Sequence, residues 1–356
     1  MERNLHHLDI SDKALASRKR YLFATLVTCI SLAIIGGSLH VLELGKKRMN
    51  DMRSMAAYDL DEMHEHIRAA GEDITLHEVN EAGLTESRPY TVSEVEKLVS
   101  AETWKMLDEM IDIPAGRFTM GTDRSRADEQ DKPAHEVTLP AYSIDKYPVT
   151  NVQYARFVAQ TGYRNPLHWE NGRIPAGLNL HPVTLVSWYD AQAYCEHFGK
   201  RLPTEAEWEK AARGTTHNRW PWGNFMDAER LNTYYAIGAT TPVNRFPEGA
   251  SPYGVMDMAG NVSEWTADDF LPYRGSHAPS DLFDAKIAKA VTAEDRAKKV
   301  VDLVPTGKRY KVMRGGSWKS DPFSTTTYHR NFAWSNSASD FFGFRCAKDT
   351  NDQGGQ

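Results

Sequence analysis

The residues with the clearest chemical potential lie in one short loop near the end of the chain, "RGGSWKSDPFSTTT", residues 314–327. This loop carries a glycine pair, a tryptophan and a run of hydroxyl side chains. Asp321 is its one acid, and it contains neither cysteine nor histidine. A hydroxyl side chain does not ionise near neutral pH and is a poor ligand for a soft metal ion. The loop is therefore either an active site of unusual composition or a binding surface in place of one.

Cysteine and histidine form no obvious metal or redox motif. Three cysteines are too few for a disulfide scaffold or an all-cysteine zinc site, and no CxxC or CxxCH spacing occurs. His64 and His66 are two residues apart, so on a helix they point to different faces. The remaining histidines that we considered occur singly, and each is interpreted as a surface or hydrogen-bonded side chain rather than a ligand: His135, His168, His181, His197, His217 and His329.

The bulk composition is that of an ordinary globular protein. The chain has 356 residues, of which 41% are hydrophobic and 25% charged, and its net charge is -6. The chain is long enough for one large domain or two small ones. The net charge is negative and the composition implies no basic surface that could bind phosphates, so we expect no nucleic-acid partner.

One apolar segment is long enough to cross a membrane. Tyr21–Leu42 contains no Asp, Glu, Lys or Arg, and a helix of about 20 such residues spans the hydrocarbon core. A cleavable signal peptide is the alternative, but no clear cleavage site follows. We therefore predict a cytoplasmic tail (1–20), a membrane anchor in contact with lipid (21–43), a helical juxtamembrane linker (44–110) and a main domain (111–350). Basic residues flank both ends of the anchor, so charge alone does not fix its orientation.

Helix-start signals divide the rest of the chain. An apolar stripe from Met52 to Ile67 predicts a juxtamembrane helix, and Thr91 with Glu94 forms a capping box for a helix that runs to Met110. Further helices are predicted to start at Thr150, Ser187 and Thr204, the last ending at Gly214. The alternating segments "GRFTMGT" and "HEVTLPAYSI" are typical of strands.

Seven motifs in fixed order identify a family. They are "IPAGRFTMGT", "YPVTNVQYARFV", "HPVTLVSWYDAQAYCEHFGKRLPTEAEWEKAARG", "WPWGN", "YGVMDMAGNVSEW", "VMRGGSW" and "GFRCA". In this order they closely resemble the sulfatase-modifying factor domain of formylglycine-generating enzymes, over Ile111 to Asp349. The resemblance implies an α+β fold, the formylglycine-generating-enzyme variant of the C-type lectin fold, which is irregular and loop-rich. A shared fold says much less about activity, because function depends on the site.

The resemblance implies a copper(I) site in which two cysteines serve an oxidation of a substrate cysteine. In this chain Ser320 and Thr325 occupy the two cysteine positions. Copper(I) selects soft thiolate ligands, so we expect neither copper nor the oxygen chemistry that depends on it. Other members of the fold use iron held by an HxxxHxE pattern in an attached helical domain. That pattern is missing here, and we expect no iron or haem site.

Cys195 and Cys346 match the cysteines that form a disulfide in the family. The residues alone leave open a second interpretation, in which they are two small buried apolar side chains. A disulfide needs an oxidising compartment. It therefore favours an N-terminus in the cytoplasm and a main domain in the periplasm, as in a single-pass protein of the inner membrane.

The segment "MDMAGNVSEW" resembles the structural calcium loop of the family. Asp257 and Glu264 would supply carboxylates, while Gly260 and Val262 would supply backbone carbonyls, and such hard oxygen ligands suit calcium. A plain turn with a capping acid is the alternative. A second calcium loop would begin near Asn232, but its expected acid is missing.

The groove beside the glycine pair could survive as a binding surface, because aromatic and arginine side chains anchor many interfaces. Its candidate lining residues are Trp265, Ser317, Trp318, Tyr328 and Arg330, although the tryptophans could equally fill the core. Arg314 and Arg345 are expected to hold backbone through hydrogen bonds. A long insertion, residues 271–308, is either a partner-docking element or a solvated excursion.

Three functions compete on this basis. The first is a non-catalytic, membrane-anchored domain that acts as an accessory, assembly or structural subunit of a membrane or exported complex. The second is an oxidoreductase of the formylglycine-generating type that matures a periplasmic protein. The third is a lectin-like or peptide-binding module that acts alone. The missing sulfur ligands and the anchor favour the first function.

Overall fold

The structure of the protein is a computed structural model that describes residues 58–59, 89–283 and 310–350. The predicted anchor Tyr21–Leu42 lies outside the described residues. Among the residues that are described, no helix combines the length and the apolar character needed to cross a bilayer.

Helices in the main domain begin where the sequence places capping residues. Thr150, Ser187 and Thr204 each accept a hydrogen bond from the backbone N–H three residues on, and each of the three helices has a complete capping box. These local signals confirm the predicted helix starts. The described α-helices are α1 Val92–Val95, α2 Ala101–Leu107, α3 Asn151–Thr161, α4 Trp188–His197 and α5 Glu205–Arg213. The 3₁₀ turns are Glu129–Asp131, Glu170–Gly172, Pro247–Gly249, Ser280–Leu282 and Pro322–Thr325.

Short strands form four small sheets in the described part of the chain. The strands are β1 Tyr58–Asp59, β2 Met110–Ile113, β3 Gly116–Met120, β4 His135–Leu139, β5 Tyr142–Asp145, β6 Ser263–Asp269, β7 Tyr310–Arg314, β8 Arg330–Trp334, β9 Ser337–Ala338, β10 Phe342–Phe344 and β11 Ala347–Asp349. The largest sheet has the order β10-β6-β7-β8, and a second has the order β11-β5-β2. β3 pairs with β4, and β1 pairs with β9. Helix and sheet are mixed, as the α+β prediction requires.

Two predicted helices differ from the structure. The helix expected from Thr91 to Met110 is two helices, because the Ser100 side chain accepts from Thr103 N and so starts α2 as a new helix. Inside the predicted juxtamembrane helix, β1 is a strand whose backbone pairs with β9. The helical prediction is therefore wrong at β1, and the rest of that helix lies outside the described residues.

The folded domain begins before the predicted boundary at residue 111. Val95, Trp104 and Leu107, which fall in the predicted linker, are buried in the main hydrophobic core. The Gln153 amide donates to the carbonyl of Leu107 at 2.9 Å. The last part of the linker is thus an integral part of the domain.

A disulfide joins α4 to the segment between β10 and β11. Cys195 and Cys346 are bonded, with their Cα atoms 5.6 Å apart, and both are fully buried. The disulfide prediction is confirmed. The bond links positions separated by 151 residues, so it restricts the unfolded chain strongly.

The described start of the insertion is mostly exposed but is anchored to the domain at two residues, Tyr273 and Phe283. The Tyr273 hydroxyl donates to Glu205 Oε1 at 3.1 Å, and the guanidinium of Arg330 lies 4.0 Å from the Tyr273 ring centroid. Phe283 is buried against Phe270. Residues 284–308 of the insertion lie outside the described part.

Candidate functional site

Residues 315–329 join β7 to β8, and the path of this connection depends on two glycines. Gly315 and Gly316 have φ values of 88° and 65°, a region that L side chains rarely adopt. A Cβ on Gly316 would lie 2.6 Å from the carbonyl oxygen of Ser324. The glycine pair therefore allows the two limbs of the loop to touch.

The two hydroxyls at the copper-ligand positions are engaged within the loop. Ser320 Oγ accepts from Ser317 N at 2.9 Å and lies 3.2 Å from Ser317 Oγ. Thr325 is fully buried; its Oγ1 donates to the carbonyl of Pro322 at 2.8 Å and accepts from Trp220 Nε1 at 3.1 Å. Both hydroxyls thus hold loop backbone, and that of Thr325 also holds the Trp220 indole. Because both donors are hard, neutral oxygens, the pair does not fit copper(I).

Buried ion pairs fix the base of the loop. Arg314 bonds Glu209 Oε2 and Glu205 Oε1, and its Nη2 also donates to the carbonyl of Thr327 at 2.6 Å. Arg330 bonds both oxygens of Glu205, at 2.7 and 3.0 Å. Burial opposes the charge of Arg314, but Glu209 beside it keeps the pKa of the guanidinium above its ordinary value. The prediction that Arg314 holds backbone is confirmed. The ion pairs of Arg314 and Arg330 also connect α5 to β7 and to β8.

Most of the predicted groove residues are structural. Trp265 is fully buried in the main core, where its Nε1 donates to the carbonyl of Val186 at 3.1 Å. Tyr328 and Arg330 are also buried, and the arginine is committed to Glu205. These three residues do not line an open groove, because the strand-poor domain needs large side chains to fill its interior.

Ser317 and Trp318 lie at the loop but are largely covered. Trp318 Nε1 is 3.4 Å from the carbonyl of Asp340, and its ring contacts Tyr235 edge-on at 5.5 Å. Lys319 lies 4.7 Å from the Trp318 ring centroid and pairs with Asp340 at 2.8 Å. These contacts leave little of Ser317 and Trp318 accessible to solvent.

Four exposed apolar side chains lie on the loop or on segments hydrogen-bonded to it, and we call them the apolar rim. Its members are Phe225 (86% exposed), Phe323 (64%), Tyr234 (54%) and Ile237 (46%).

Hydrogen bonds of Tyr234 N and Trp220 Nε1 join two rim segments to the loop, and further bonds hold each segment internally. Tyr234 N donates to the carbonyl of Ser320 at 2.9 Å, and Trp222 Nε1 donates to the carbonyl of Phe225 at 3.0 Å. Phe323 is held by the side chain of Asp321, which accepts from its backbone N–H. Sequence reasoning missed the rim, because nothing in the local pattern distinguishes an exposed aromatic side chain from a buried one.

The predicted calcium residues lie together in part. Asp257 is buried, and burial raises the pKa of its carboxyl to about 7, while the hydrogen bond from Asn261 and the charge of Arg345 lower it. Glu264, by contrast, is bound through both oxygens to Arg345, at 2.6 and 2.7 Å, and also accepts from Trp208 Nε1. The Asp257 carboxylate accepts from Asn261 Nδ2 at 2.8 Å, whereas the Glu264 charge is paired with Arg345.

Besides this ion pair, Arg345 donates hydrogen bonds to three backbone carbonyls. Its Nη1 donates to the carbonyls of Asp145 and Lys146, and its Nη2 donates to the carbonyl of Met256. The prediction that Arg345 holds backbone is confirmed. Its ion pair with Glu264 joins the predicted calcium loop to the segment between β10 and β11, which contains the disulfide-bonded Cys346.

Comparisons with known proteins agree with the motif pattern. The family model described as "Sulfatase-modifying factor enzyme 1-like domain" matches residues 95–350. The chain is 32% identical to the formylglycine-generating enzyme of Mycobacterium tuberculosis, over 68% of this chain and 99% of the relative. It is also 32% identical to the mouse protein named inactive C-alpha-formylglycine-generating enzyme 2, over 67% of this chain and 85% of the relative.

The chain is also similar to part of a larger protein and to a protein of solved structure. A serine/threonine-protein kinase named pkn1 from Chlamydia caviae is 34% identical over 68% of this chain, but the chain spans only 38% of the length of that relative. Among solved structures, PvdO from Pseudomonas aeruginosa is similar with a TM-score of 0.53 and 27% identity, covering 69% of this chain and 96% of PvdO. The chain therefore belongs to the sulfatase-modifying factor enzyme 1-like domain family.

Proposed function

We propose that this chain is a non-catalytic member of its family, a membrane-anchored domain that binds a protein partner as an accessory, assembly or structural subunit of a membrane or exported complex. The observation that carries the proposal is the state of Ser320 and Thr325. Each holds the loop through hydrogen bonds where the family resemblance implies a copper-binding thiolate.

The proposal rests on donor chemistry. A thiolate carries charge and is polarisable, while an alcohol at neutral pH offers a neutral, hard oxygen. Both cysteines in the described part of the chain, Cys195 and Cys346, are consumed by the disulfide. No described thiol therefore remains near the loop to replace the lost ligands.

The apolar rim supports a binding role. A contiguous exposed apolar patch marks an interaction site on many monomeric proteins, and we infer that the apolar rim is such a patch. Phe225, Phe323 and Tyr234 are aromatic, and aromatic side chains dominate the energetics of protein interfaces. The buried pairs of Arg314 and Arg330 beneath the rim keep the loop rigid, so a partner would lose little energy in ordering it.

The proposed location follows from the anchor and the disulfide together. Tyr21–Leu42 would hold the chain in the inner membrane, and the Cys195–Cys346 bond is favoured in an oxidising compartment. We therefore place the N-terminus in the cytoplasm and the domain in the periplasm. Added protease should reach the domain only after the outer permeability barrier is opened.

A structural calcium ion is part of the proposal. Asp257 and the backbone carbonyls of Gly260 and Val262 would hold the ion, and Glu264 would contribute only if it shared its charge with Arg345. A bound cation would stabilise the charged form of Asp257 in its buried position. Calcium should therefore raise the thermal stability of the wild-type protein more than that of an Asp257→Asn variant.

Site-specific crosslinking in cells tests the binding role. A photoreactive amino acid at position 323 should yield one adduct of defined mass, because this rim side chain would contact the partner. The matched control is position 189, where the native Tyr189 is also exposed but belongs to α4. An adduct at 323 but not at 189 supports the proposal. Equal labelling at both positions, or at neither, contradicts it.

The second candidate function is oxidation of a protein cysteine. It is favoured by the relatives named formylglycine-generating enzyme, one of which this chain covers almost completely. It would need a metal site built from ligands other than those at Ser320 and Thr325. Turnover of a cysteine-containing peptide with dioxygen would establish it.

A further inference from the structure

Two carboxylates and one imidazole meet beside the end of the loop. Asp128 directly precedes the 3₁₀ turn Glu129–Asp131 between β3 and β4, Asp131 is the last residue of that turn, and His329 directly precedes β8. His329 Nδ1 lies 3.2 Å from Asp131 Oδ2 and 3.8 Å from Asp128 Oδ2. One ligand atom from each residue lies within 4.8 Å of the others.

The geometry of this cluster is fixed by the backbone around it. Asp131 Oδ1 accepts from Arg330 N at 2.9 Å, which leaves Oδ2 directed at His329. Thr122 N donates to the carbonyl of Asp131 at 3.0 Å, and His329 N donates to the carbonyl of Thr326 at 3.1 Å. Two of the three side chains are therefore held in place before any ligand arrives.

Negative charge exceeds positive charge around Asp128 and Asp131, because the nearby basic side chains pair with other acids. The guanidinium of Arg330 is turned to Glu205, at 2.7 and 3.0 Å. Lys132 is paired with Glu129 at 2.8 Å. The two neighbouring cations are thus committed to other acids, and Asp128 and Asp131 both face His329, which is hydrogen-bonded through Nδ1 to Asp131 Oδ2. A divalent cation would remove this excess.

The spacing also suits a small metal ion. Zinc binds imidazole nitrogen and carboxylate oxygen at about 2.0–2.2 Å. In tetrahedral or octahedral geometry this bond length separates neighbouring ligand atoms by roughly 3–3.6 Å. The distances of 3.2 and 3.8 Å around His329 Nδ1 lie close to that range.

We propose that Asp128, Asp131 and His329 form a site for a divalent transition-metal ion of the zinc class. An imidazole nitrogen with two carboxylates suits zinc better than calcium, which takes oxygen ligands alone. A bound ion would fasten the turn Glu129–Asp131 to the end of the loop that carries Thr325. The site is separate from the copper-ligand positions and goes beyond the proposed binding function.

Zinc binding by the full chain in detergent tests this site. The protein would carry a purification tag without histidine, and excess calcium would fill oxygen-only sites. Titration with zinc against a chromophoric chelator should show one more tight site in the wild type than in a His329→Gln variant. Because the chain has 13 histidines, this difference is the informative quantity. Cobalt should give visible absorption bands in the wild type that are weakened in the variant.

Two further variants separate a built site from surface charge. Asp128 is 62% exposed at its side chain, so Asp128→Asn should fold normally and weaken zinc binding at least tenfold. The matched control is Glu129→Gln in the same turn, whose native acid pairs with Lys132 and should be dispensable for zinc. Equal zinc binding by wild type, His329→Gln and Asp128→Asn would overturn the proposal. So would an equal loss in Glu129→Gln and Asp128→Asn, which would indicate surface carboxylates only.

Discussion

Replacing Thr325 with valine tests whether the loop is held by hydrogen bonds of the residue that stands at a copper-ligand position. Valine keeps the shape and the one buried methyl group of threonine but replaces the hydroxyl with a second methyl group. In the structure this hydroxyl accepts from Trp220 Nε1 at 3.1 Å and donates to the carbonyl of Pro322 at 2.8 Å. The change therefore leaves one buried N–H and one half-buried carbonyl without their partner.

The size of the effect follows from the burial of the two partners. Trp220 is buried, so its unpaired N–H costs about 1–3 kcal/mol. The carbonyl of Pro322 is half-buried and can turn toward water at smaller cost. We expect the loop to lose about 2 kcal/mol of local stability, which corresponds to roughly a 30-fold larger opening equilibrium.

Amide hydrogen exchange measures this local opening directly. Exchange of the amides at Ser324 and Thr326, which donate to carbonyls within the loop, should be roughly 30-fold faster in Thr325→Val. The control Thr325→Ser keeps the hydroxyl and loses only one buried methyl group, so its exchange should rise less than that of the valine variant. If the valine and serine variants exchange at the same rate, the hydroxyl does not hold the loop and the reasoning fails.

Three more predictions follow from the same structure. The double variant Ser320→Cys with Thr325→Cys should gain one equivalent of copper(I) in competition with a chromophoric chelator, and a folded variant without copper would show that the two hydroxyls are not the sole cause of its loss. Replacing Cys195 and Cys346 with serine should lower the free energy of unfolding by about 5 kcal/mol in denaturant titration, because the bond closes a very long loop; a loss below about 1 kcal/mol would contradict this. Burial lowers the pKa of His168 from 6.5 to about 4, so the native state binds fewer protons than the unfolded chain between these values. Stability should therefore fall as pH falls from 6.5 to 4, and His168→Gln should flatten this part of the pH profile of the melting temperature.

Local signals in the sequence were enough to place most helices. The capping boxes at Thr150, Ser187 and Thr204 are complete within a few residues, so each helix start depends on neighbours along the chain. The split between α1 and α2 was missed because Ser100 lies inside an apolar pattern that continues on both sides. The strand prediction over "HEVTLPAYSI" was right in kind, but Pro140 separates it into β4 and β5.

The site was harder to predict because it depends on long-range contacts. Whether a tryptophan fills the core or lines a groove is decided by what packs on it, and Trp265 meets the carbonyl of Val186 far along the chain. Asp131 and His329 are joined across 198 positions, so no local spacing could reveal their pairing. Ser320 and Thr325 were identified by family resemblance, and the structure added the partners that explain their present role.

Copper analysis combined with an activity assay on one sample of purified full-length protein tests the central claim most directly. The protein would be supplied with copper(I), freed of loosely bound metal, and given a cysteine-containing peptide and dioxygen. If Ser320 and Thr325 have replaced the sulfur ligands with structural hydroxyls, the sample should hold no stoichiometric copper and leave the peptide cysteine unchanged. Stoichiometric copper with conversion of that cysteine to an aldehyde would contradict the account.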